Sequence, residues 1–310
     1  MLNRTNHQFF AASIIVILIN FISNYVYSSQ KEIAIIVPLE HKSMNEIIEG
    51  IKEGLNGTNT QITVKNAQAD PNILLALIKQ LNSTNTEIVM PSGSSACQTS
   101  ISHIKNSKII CVAANVNGVK NFPVTGINDE ISVTSSLKKL SNVRNIAVIY
   151  SANEKVIPEV EELRKYAVEN NLTLHFRMIQ TMVDLATVIR TVPTDAQAFL
   201  ILKDHLVVSG ISTIIKEANK RGIPVIASDE GSVIEGATIA IGVVEKEIGF
   251  KAAGIAKSII GGTAPQDIPF ETIDKLSIFI NTDSFQKQEI LNRTDIDKTS
   301  LPQIEIPKKH

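Results

Sequence analysis

Hydrophobic and polar positions fall in blocks along this chain. Short, nearly continuous apolar runs rich in β-branched residues occur at Ile33–Val37, Ile62–Ala67, Ile88–Pro91, Lys108–Ala114 and Val124–Ile127. They resume at Asn145–Ser151, Thr173–Ile179, Ala198–Lys203, Pro224–Asp229 and Thr238–Gly242. Runs of this kind predict strands covered on both faces, as in parallel sheets. Amphipathic stretches separate them, among them Met44–Asn56, Asn72–Leu81, Glu159–Asn170 and Ser209–Arg221. Their apolar residues recur at helical spacing. The last runs into Gly222 and Pro224, a helix stop ahead of the next strand.

Strand–helix alternation implies parallel sheets with right-handed crossovers. Ten strands exceed the usual single sheet, so the expected fold class is α/β with two doubly wound parallel-sheet lobes. The break is placed near Ile127, where Asn128-Asp129 opens a new helix. Lobe 1 is then 29–127 plus 243–272, and lobe 2 is 128–242 plus 273–292. The helix Glu245–Ile260 and the strand Leu276–Asn281 carry the chain back between them. From Arg293 onward, polar residues with Pro302 and Pro307 predict a flexible tail, 293–310.

Ahead of the first strand, Arg4 and His7 precede an apolar run from Phe9 to Ile22, with Val26 and Ser28 before a cut at Ser29. Residues 1–28 therefore read as a signal peptide that exports the chain to the periplasm. The alternative is an uncleaved membrane anchor. Against it, Asn20, Ser23 and Asn24 interrupt a run that falls short of the ~20 residues a spanning helix needs. A formal net charge of -1 over 310 residues gives no electrostatic case for nucleic acid or an anionic membrane surface. Cys97 and Cys111 are too few for a four-cysteine metal site. Pairing in an oxidising compartment and burial as free thiols both remain open for them.

In open parallel sheets a ligand sits beyond the carboxyl ends of the strands. Those ends carry Glu40-His41-Lys42-Ser43, Ala67-Gln68-Ala69-Asp70, Ser92-Gly93-Ser94-Ser95, Ser151-Ala152-Asn153-Glu154, Asp204-His205 and Ser228-Asp229-Glu230. The most informative is the stretch Glu87–Ala96, where an apolar strand runs into a hydroxyl-rich loop that opens a helix. Backbone N–H groups and the positive end of the helix dipole converge there, which suits a carboxylate or phosphate. Each of these polar residues is also a good helix cap, and capping accounts for Ser43, Asp70 and Asp129. At Ser92–Ser95 and Asp229, binding and capping stand side by side.

Enzymatic signatures fare poorly. Gly93-Ser94-Ser95-Ala96 lacks the second glycine of a nucleophile elbow, and His103, His175 and His205 have no spacing that marks a base. No glycine-rich nucleotide loop or H-E-x-x-H is present. A metal shared by Glu40-His41 and Asp204-His205 across a cleft competes with the commoner solvated or capping roles, so neither metal nor cofactor is expected. The chain has no Trp, and beyond the leader only Tyr150 and Tyr166, which leaves little for stacking a sugar ring. Polar recognition of a small charged ligand fits better.

From Ile33 to about Asn281 these residues resemble the periplasmic substrate-binding components of ABC importers, in the branch associated with tryptophan and tyrosine uptake. The resemblance rests on Glu40-His41, Asn66-Ala67-Gln68-Ala69-Asp70, the Ser92–Ala96 loop and Val124-Thr125-Gly126-Ile127-Asn128-Asp129. Ile223-Pro224-Val225-Ile226-Ala227-Ser228-Asp229 and Glu235-Gly236-Ala237 follow in the family's order. It implies a type I periplasmic-binding-protein-like fold, with lobes joined by hinge crossovers and closing around a ligand. A membrane permease would be the partner of a monomeric carrier that binds no nucleic acid. Carried over residue by residue, Ser92, Gly93, Ser94 and Ser95 would hold a ligand carboxylate. Asn153, Asp204 and Asp229 would approach from the second lobe, and Glu40 completes the set.

Three departures stand out. Val244-Glu245 replaces the family's acidic and aromatic pair, Lys42 replaces a prolyl, and Lys203-Asp204-His205 replaces a proline–acid–asparagine turn. With no acid at Val244, clamping a ligand amino group would fall to Glu245. The expected function is a solute-binding protein for a small carboxylate-bearing ligand, an amino acid being one candidate, delivered to an ABC importer. A secreted or anchored ligand sensor is the main alternative, and a secreted hydrolase the lesser one. The leader and the lack of N-terminal DNA-binding helices exclude a repressor of related fold.

Overall fold

The structure is a computed structural model that describes residues 30–115, 123–129, 134–138, 143–153, 156–273, 275–288, 291 and 301–306. The first half runs β1 (Lys31–Val37), α1 (Lys42–Gly54), β2 (Thr60–Asn66), α2 (Pro71–Leu81), β3 (Thr86–Pro91), α3 (Ser94–His103), β4 (Lys108–Cys111), β5 (Val124–Asn128). After the short α4 (Thr134–Leu137), the second half repeats the alternation: β6 (Asn145–Ser151), α5 (Val156–Glu169), β7 (Thr173–Ile179), α6 (Met182–Arg190), β8 (Ala198–Ile201), α7 (His205–Ser209), α8 (Ile211–Arg221), β9 (Val225–Ala227), α9 (Glu230–Ile234), β10 (Ile239–Gly242). The chain then returns through α10 (Glu245–Ile260) and β11 (Glu271–Thr272) to β12 (Ser277–Asn281), α11 (Thr282–Phe285) and β13 (Gln303–Ile306). The expected leader, residues 1–28, lies outside the described residues.

Two sheets result, with strand orders β11-β5-β4-β3-β1-β2 and β13-β12-β10-β9-β8-β6-β7. The first five strands of each half therefore share one order, and each sheet has a switch point, between β1 and β3 and between β6 and β8. Among the described strands the one antiparallel pairing is β10 with β12, and β13 follows the direction of β12. Because the strands are covered on both faces, their hydrophobicity is continuous. Along β1, Ile33, Ile35 and Val37 face a core shared with α1 and α10, while Ala34 and Ile36 face α2 and α3. Each such buried isoleucine contributes about 1.5–3 kcal/mol relative to exposure.

The chain passes between the sheets three times, after β5, after β10 and after β11. The second passage is anchored where α10 crosses α1 at backbone contact. A Cβ at Gly50 would lie 2.3 Å from the Lys246 carbonyl oxygen, and one at Gly249 would lie 2.2 Å from that of Ile47. Glycine alone allows helices this close. The start of α10, Glu245, is thereby fixed at the junction of the two halves.

Two sequence expectations change here. The tail is not uniformly loose, since Gln303–Ile306 adds a parallel strand to β12. Alternating Ile304 and Ile306 pack against the second-half core, a period-two signal too short to stand out between Pro302 and Pro307. The cysteines, left open above, form a disulfide between the first turn of α3 and β4, with Cα atoms 5.5 Å apart.

Candidate ligand-binding cleft

The two switch points face each other, and two adjoining cavities lie between them. The first is bordered by Pro38, Ser92–Ala96, Asn153, Lys203 and His205. Its floor is the turn from β3 into α3. The Ser92 and Gly93 N–H groups are spent within the sheet, donating to the Ile36 and Val112 carbonyls at 2.8 and 2.9 Å. Gly93, at φ +83°, reverses the chain so that α3 starts at Ser94. The first helical bond is Cys97 N–H to the Gly93 carbonyl, so the N–H groups of Ser94, Ser95 and Ala96 precede it at the positive end of the helix. The Ser92 hydroxyl is buried with no hydrogen-bond partner. Ser94 Oγ accepts from the Asn115 N–H at 3.0 Å, and Ser95 is exposed.

Two imidazoles bridge the halves, with His41 Nε2 and His205 Nδ1 2.8 Å apart. His41 Nδ1 accepts from the Met44 N–H and caps α1. Burial lowers the His41 pKa to about 4, against the pull of Asp229 and with a small push from Lys203. A neutral His41 that accepts at Nδ1 carries its proton on Nε2, and so donates to His205 Nδ1. His205 is then left with an Nε2–H, and that atom stands 3.1 Å from where a Gly93 Cβ would be. Ser43, expected as the α1 cap, is displaced from that role by His41. Its hydroxyl instead reaches across the halves to donate to Asp229 in a short hydrogen bond.

The second cavity is rich in charge: Asp129, Lys203, Asp229 and Glu245 line it with His41 and His205. Asp229 caps α9, accepting from the Ser232 N–H at 2.8 Å and the Ser232 hydroxyl at 2.7 Å. Lys203 donates to Asp129 in a short ion pair and lies 3.6 Å from Glu245. Burial opposes the Lys203 charge, but Asp129 and Glu245 outweigh it and hold its pKa above the ordinary range. Asp129 was expected to cap the helix following it; it serves as this counter-ion, and residues 130–133 lie outside the described residues. Burial pushes Glu245 up to about 8 against the attraction of Lys203, and Asp229, Asp129 and Glu230 push the same way.

Six of the eight expected site residues border these cavities: Ser92, Gly93, Ser94, Ser95 and Asn153 the first, Asp229 the second. Asp204 and Glu40 do not. The Asp204 carboxylate caps α7 through the Leu206 N–H and takes both the N–H and the hydroxyl of Ser151, at 2.6 and 3.0 Å. It fastens the end of β6 to the segment that follows β8. Glu40 is exposed ahead of the His41 cap. Sequence reading placed His41 and His205 at strand ends facing a cleft but left them out of the expected site set, and it did not single out Lys203 as a binding residue. The signal was their position, and their residue types pointed elsewhere. Among the described residues no group of three or more His, Cys, Asp or Glu side chains is arranged to hold a metal ion.

A model of the family described as ABC transporter substrate binding protein matches residues 32–301. An uncharacterized protein of Rickettsia prowazekii (strain Madrid E) is 51% identical over 276 residues, covering 89% of this chain and 91% of that one. A tyrosine-binding protein of Clostridioides difficile (strain R20291) is 28% identical over 301 residues, covering 90% of this chain and 85% of that one. Among solved structures, an ABC domain in complex with L-Trp from Streptococcus pneumonia has a TM-score of 0.79 at 20% identity, covering 90% of this chain and 100% of that chain. Such likeness, shared at lower scores by LacI-type regulators, identifies the fold as that of type I periplasmic binding proteins.

Proposed function

Because the chain belongs to the ABC transporter substrate-binding proteins, an extracytoplasmic and non-enzymatic family, we propose that its interlobe cleft captures an amino acid for delivery to a membrane permease. The observation that carries this is the β3–α3 turn. A buried Ser92 hydroxyl without a partner and the first-turn N–H groups of α3 stand around one cavity. An unpaired buried hydroxyl is costly, and a ligand carboxylate would accept from it and from the N–H donors together. The acid-rich second cavity, which shares Lys203 and His205 with the first, supplies the opposite polarity for a ligand ammonium. A zwitterion satisfies both.

The names of the relatives favour tyrosine or tryptophan as first probes. Lobes bounded at 29–127 plus 243–272 and 128–242 plus 273–292 would close about the three passages, with His41–His205 and Ser43–Asp229 as contacts made on closing. Residues 1–28 would direct the chain to the periplasm. Among the described residues no helix is long and apolar enough to cross a membrane. The test is a thermal-shift screen of the exported chain against amino acids, nucleosides and small acids. A ligand at 100 times its dissociation constant adds about 2.7 kcal/mol to stability. A shift with amino acids alone supports the proposal; no shift with any amino acid contradicts it.

A further inference from the structure

The helix that offers the donors, α3, has almost no apolar face of its own. It buries Ala96, Cys97 and Ser100, where α1 buries Met44, Ile47, Ile48 and Ile51 and α2 buries Leu74, Ile78 and Leu81. Helices in globular proteins are held mainly by such a face rather than by intrinsic propensity. Propensity is low here too, since Ser94, Ser95, Thr99, Ser100 and Ser102 are weak helix formers. Thr99 and Ser102 spend their hydroxyls on carbonyls of α3 itself. The disulfide stands where the apolar face is missing. The Cys97 N–H closes the first turn onto the Gly93 carbonyl at 3.0 Å, and its sulfur bonds Cys111 in β4. Val112, the next residue, accepts the Gly93 N–H at 2.9 Å. Gly93, Cys97, Cys111 and Val112 thus form one closed ring around the start of α3. The strand side of the ring is backed by β5, where a Cβ on Gly126 would lie 2.2 Å from the Cys111 carbonyl oxygen.

We propose that the Cys97–Cys111 disulfide is the positioning element of the donor turn, so that the chain captures its ligand in the oxidised form and loses that ability on reduction. The proposal rests on the carboxylate reading of the β3–α3 turn and adds a redox condition to it. With the bond closed, the N–H groups of Ser94, Ser95 and Ala96 are ordered before the ligand arrives. With it open, α3 keeps Ala96, the partly buried Ile101, the Ser94–Asn115 bond and the bond from Asn82 to the His103 carbonyl at its far end. Its first turn then frays, and every backbone residue the ligand must reorder opposes binding. A dithiol supplies the two electrons and two protons of the reduction. One of its thiolates attacks a protein sulfur, its second thiol displaces the mixed disulfide, and the protein is left with two thiols while the reductant becomes a cyclic disulfide. Both cysteines are 0% exposed, so the exchange requires α3 to lift from β4. A reducing cytoplasm would therefore keep the chain incompetent, and oxidation after export would make it a binder.

The experiment is calorimetric titration, at low temperature, of three proteins: the oxidised exported chain, the same chain reduced with dithiothreitol in dilute urea and returned to buffer with the reductant, and Cys97→Ala/Cys111→Ala. The probes are L-tyrosine, L-tryptophan and the carboxamide of each, and hydrogen exchange is followed in parallel by mass spectrometry. The oxidised parent should prefer the acids to the amides. The reduced chain and the double variant should bind the acids at least about tenfold more weakly, while their amide affinities change by less than about twofold. Lost exchange protection should be confined to 94–103, with β1 and β6 as protected as in the parent, and reoxidation should restore binding. Folded reduced and variant proteins that keep the parent's affinity and its acid–amide preference, whatever their melting temperatures, overturn the proposal and leave the carboxylate reading standing. Loss of protection throughout the first-half sheet also overturns it, since the bond would then hold the sheet rather than the turn. If the oxidised parent binds acid and amide equally, or binds no amino acid, the carboxylate reading falls and this proposal with it.

Discussion

The two halves build the same switch point from the same strand order and furnish it with opposite chemistry. Between β1 and β3 the first half presents donors: N–H groups of Ser94, Ser95 and Ala96, and the Ser92 hydroxyl. Around the second half's strand ends, Asp204 and Asp229 cap helices, and Asp229 joins Asp129, Lys203 and Glu245 about the acid-rich cavity. Topology decides where strand ends meet, while local sequence decides what they offer. The contrast also separates two uses of aspartate. Asp229 and Asp204 are both buried N-caps, yet only Asp229 borders a cavity and touches the other half. Being a cap and lining the cleft are independent properties.

The strongest way to break the contrast is to remove the donor side. Gly93→Pro cannot adopt φ +83° and loses the N–H that bonds the Val112 carbonyl. It should abolish amino-acid binding, a loss of at least about 3 kcal/mol measured by calorimetry, while far-UV circular dichroism stays near that of the parent. Asp204→Ala tests the other side. It should lower unfolding free energy by about 2–3 kcal/mol in urea titrations, through the lost α7 cap and the lost bonds to Ser151. Binding by the molecules that remain folded should change little, because Asp204 borders neither cavity and its carboxylate is held by Ser151 and the Leu206 N–H. A large binding defect at unchanged stability would put Asp204 back among the ligand contacts.

The serines sharpen the picture on a finer scale. Ser92→Ala removes a hydroxyl that has no partner without ligand. It should weaken binding by about 1.5–3 kcal/mol and leave the melting temperature of the free protein unchanged or raised. Ser94→Ala should cost both binding and stability, since its hydroxyl also holds the Asn115 N–H. Ser95→Ala, at an exposed position, should have the smallest effect of the three.

Stability should depend on pH through two groups of opposite sign. Glu245 has its folded pKa raised from 4.5 to about 8, so the folded state binds the extra proton and stability declines as pH rises between those values. His41 has its folded pKa lowered from 6.5 to about 4, so its contribution is lost as pH falls through that interval. Where the windows overlap the two oppose each other. The ligand-free protein should therefore be most stable near pH 4.5–6.5 and lose up to about 1 kcal/mol per unit towards pH 8. Glu245→Gln should flatten the upper limb, and chemical denaturation at several pH values would show it.

Much of the fold was legible in the sequence because parallel strands buried on both faces leave continuous β-branched runs, as in β1 and β6. The two-residue β11 and the four-residue β13 were not, being too short for a periodic signal. The Ser92–Ser95 turn announced itself through local composition. Lys203, His41 and His205 did not, because their meaning comes from partners far along the chain, such as Asp129 for Lys203 and the opposite imidazole for each histidine. Asp204 shows the complementary case: a strand-end acid looks the same in sequence whether it borders the cleft or bonds the neighbouring strand.

The account turns on a ligand carboxylate seated at the start of α3, and removing that charge from the ligand tests it most directly. Calorimetric titration with L-tyrosine and L-tryptophan, each against its carboxamide, isolates the group while leaving the ammonium and side chain in place. Loss of the carboxylate should weaken binding by at least about 2 kcal/mol, roughly 30-fold, and the deficit should shrink in Ser92→Ala. Equal affinity for acid and amide would mean that the β3–α3 turn is only the beginning of a helix.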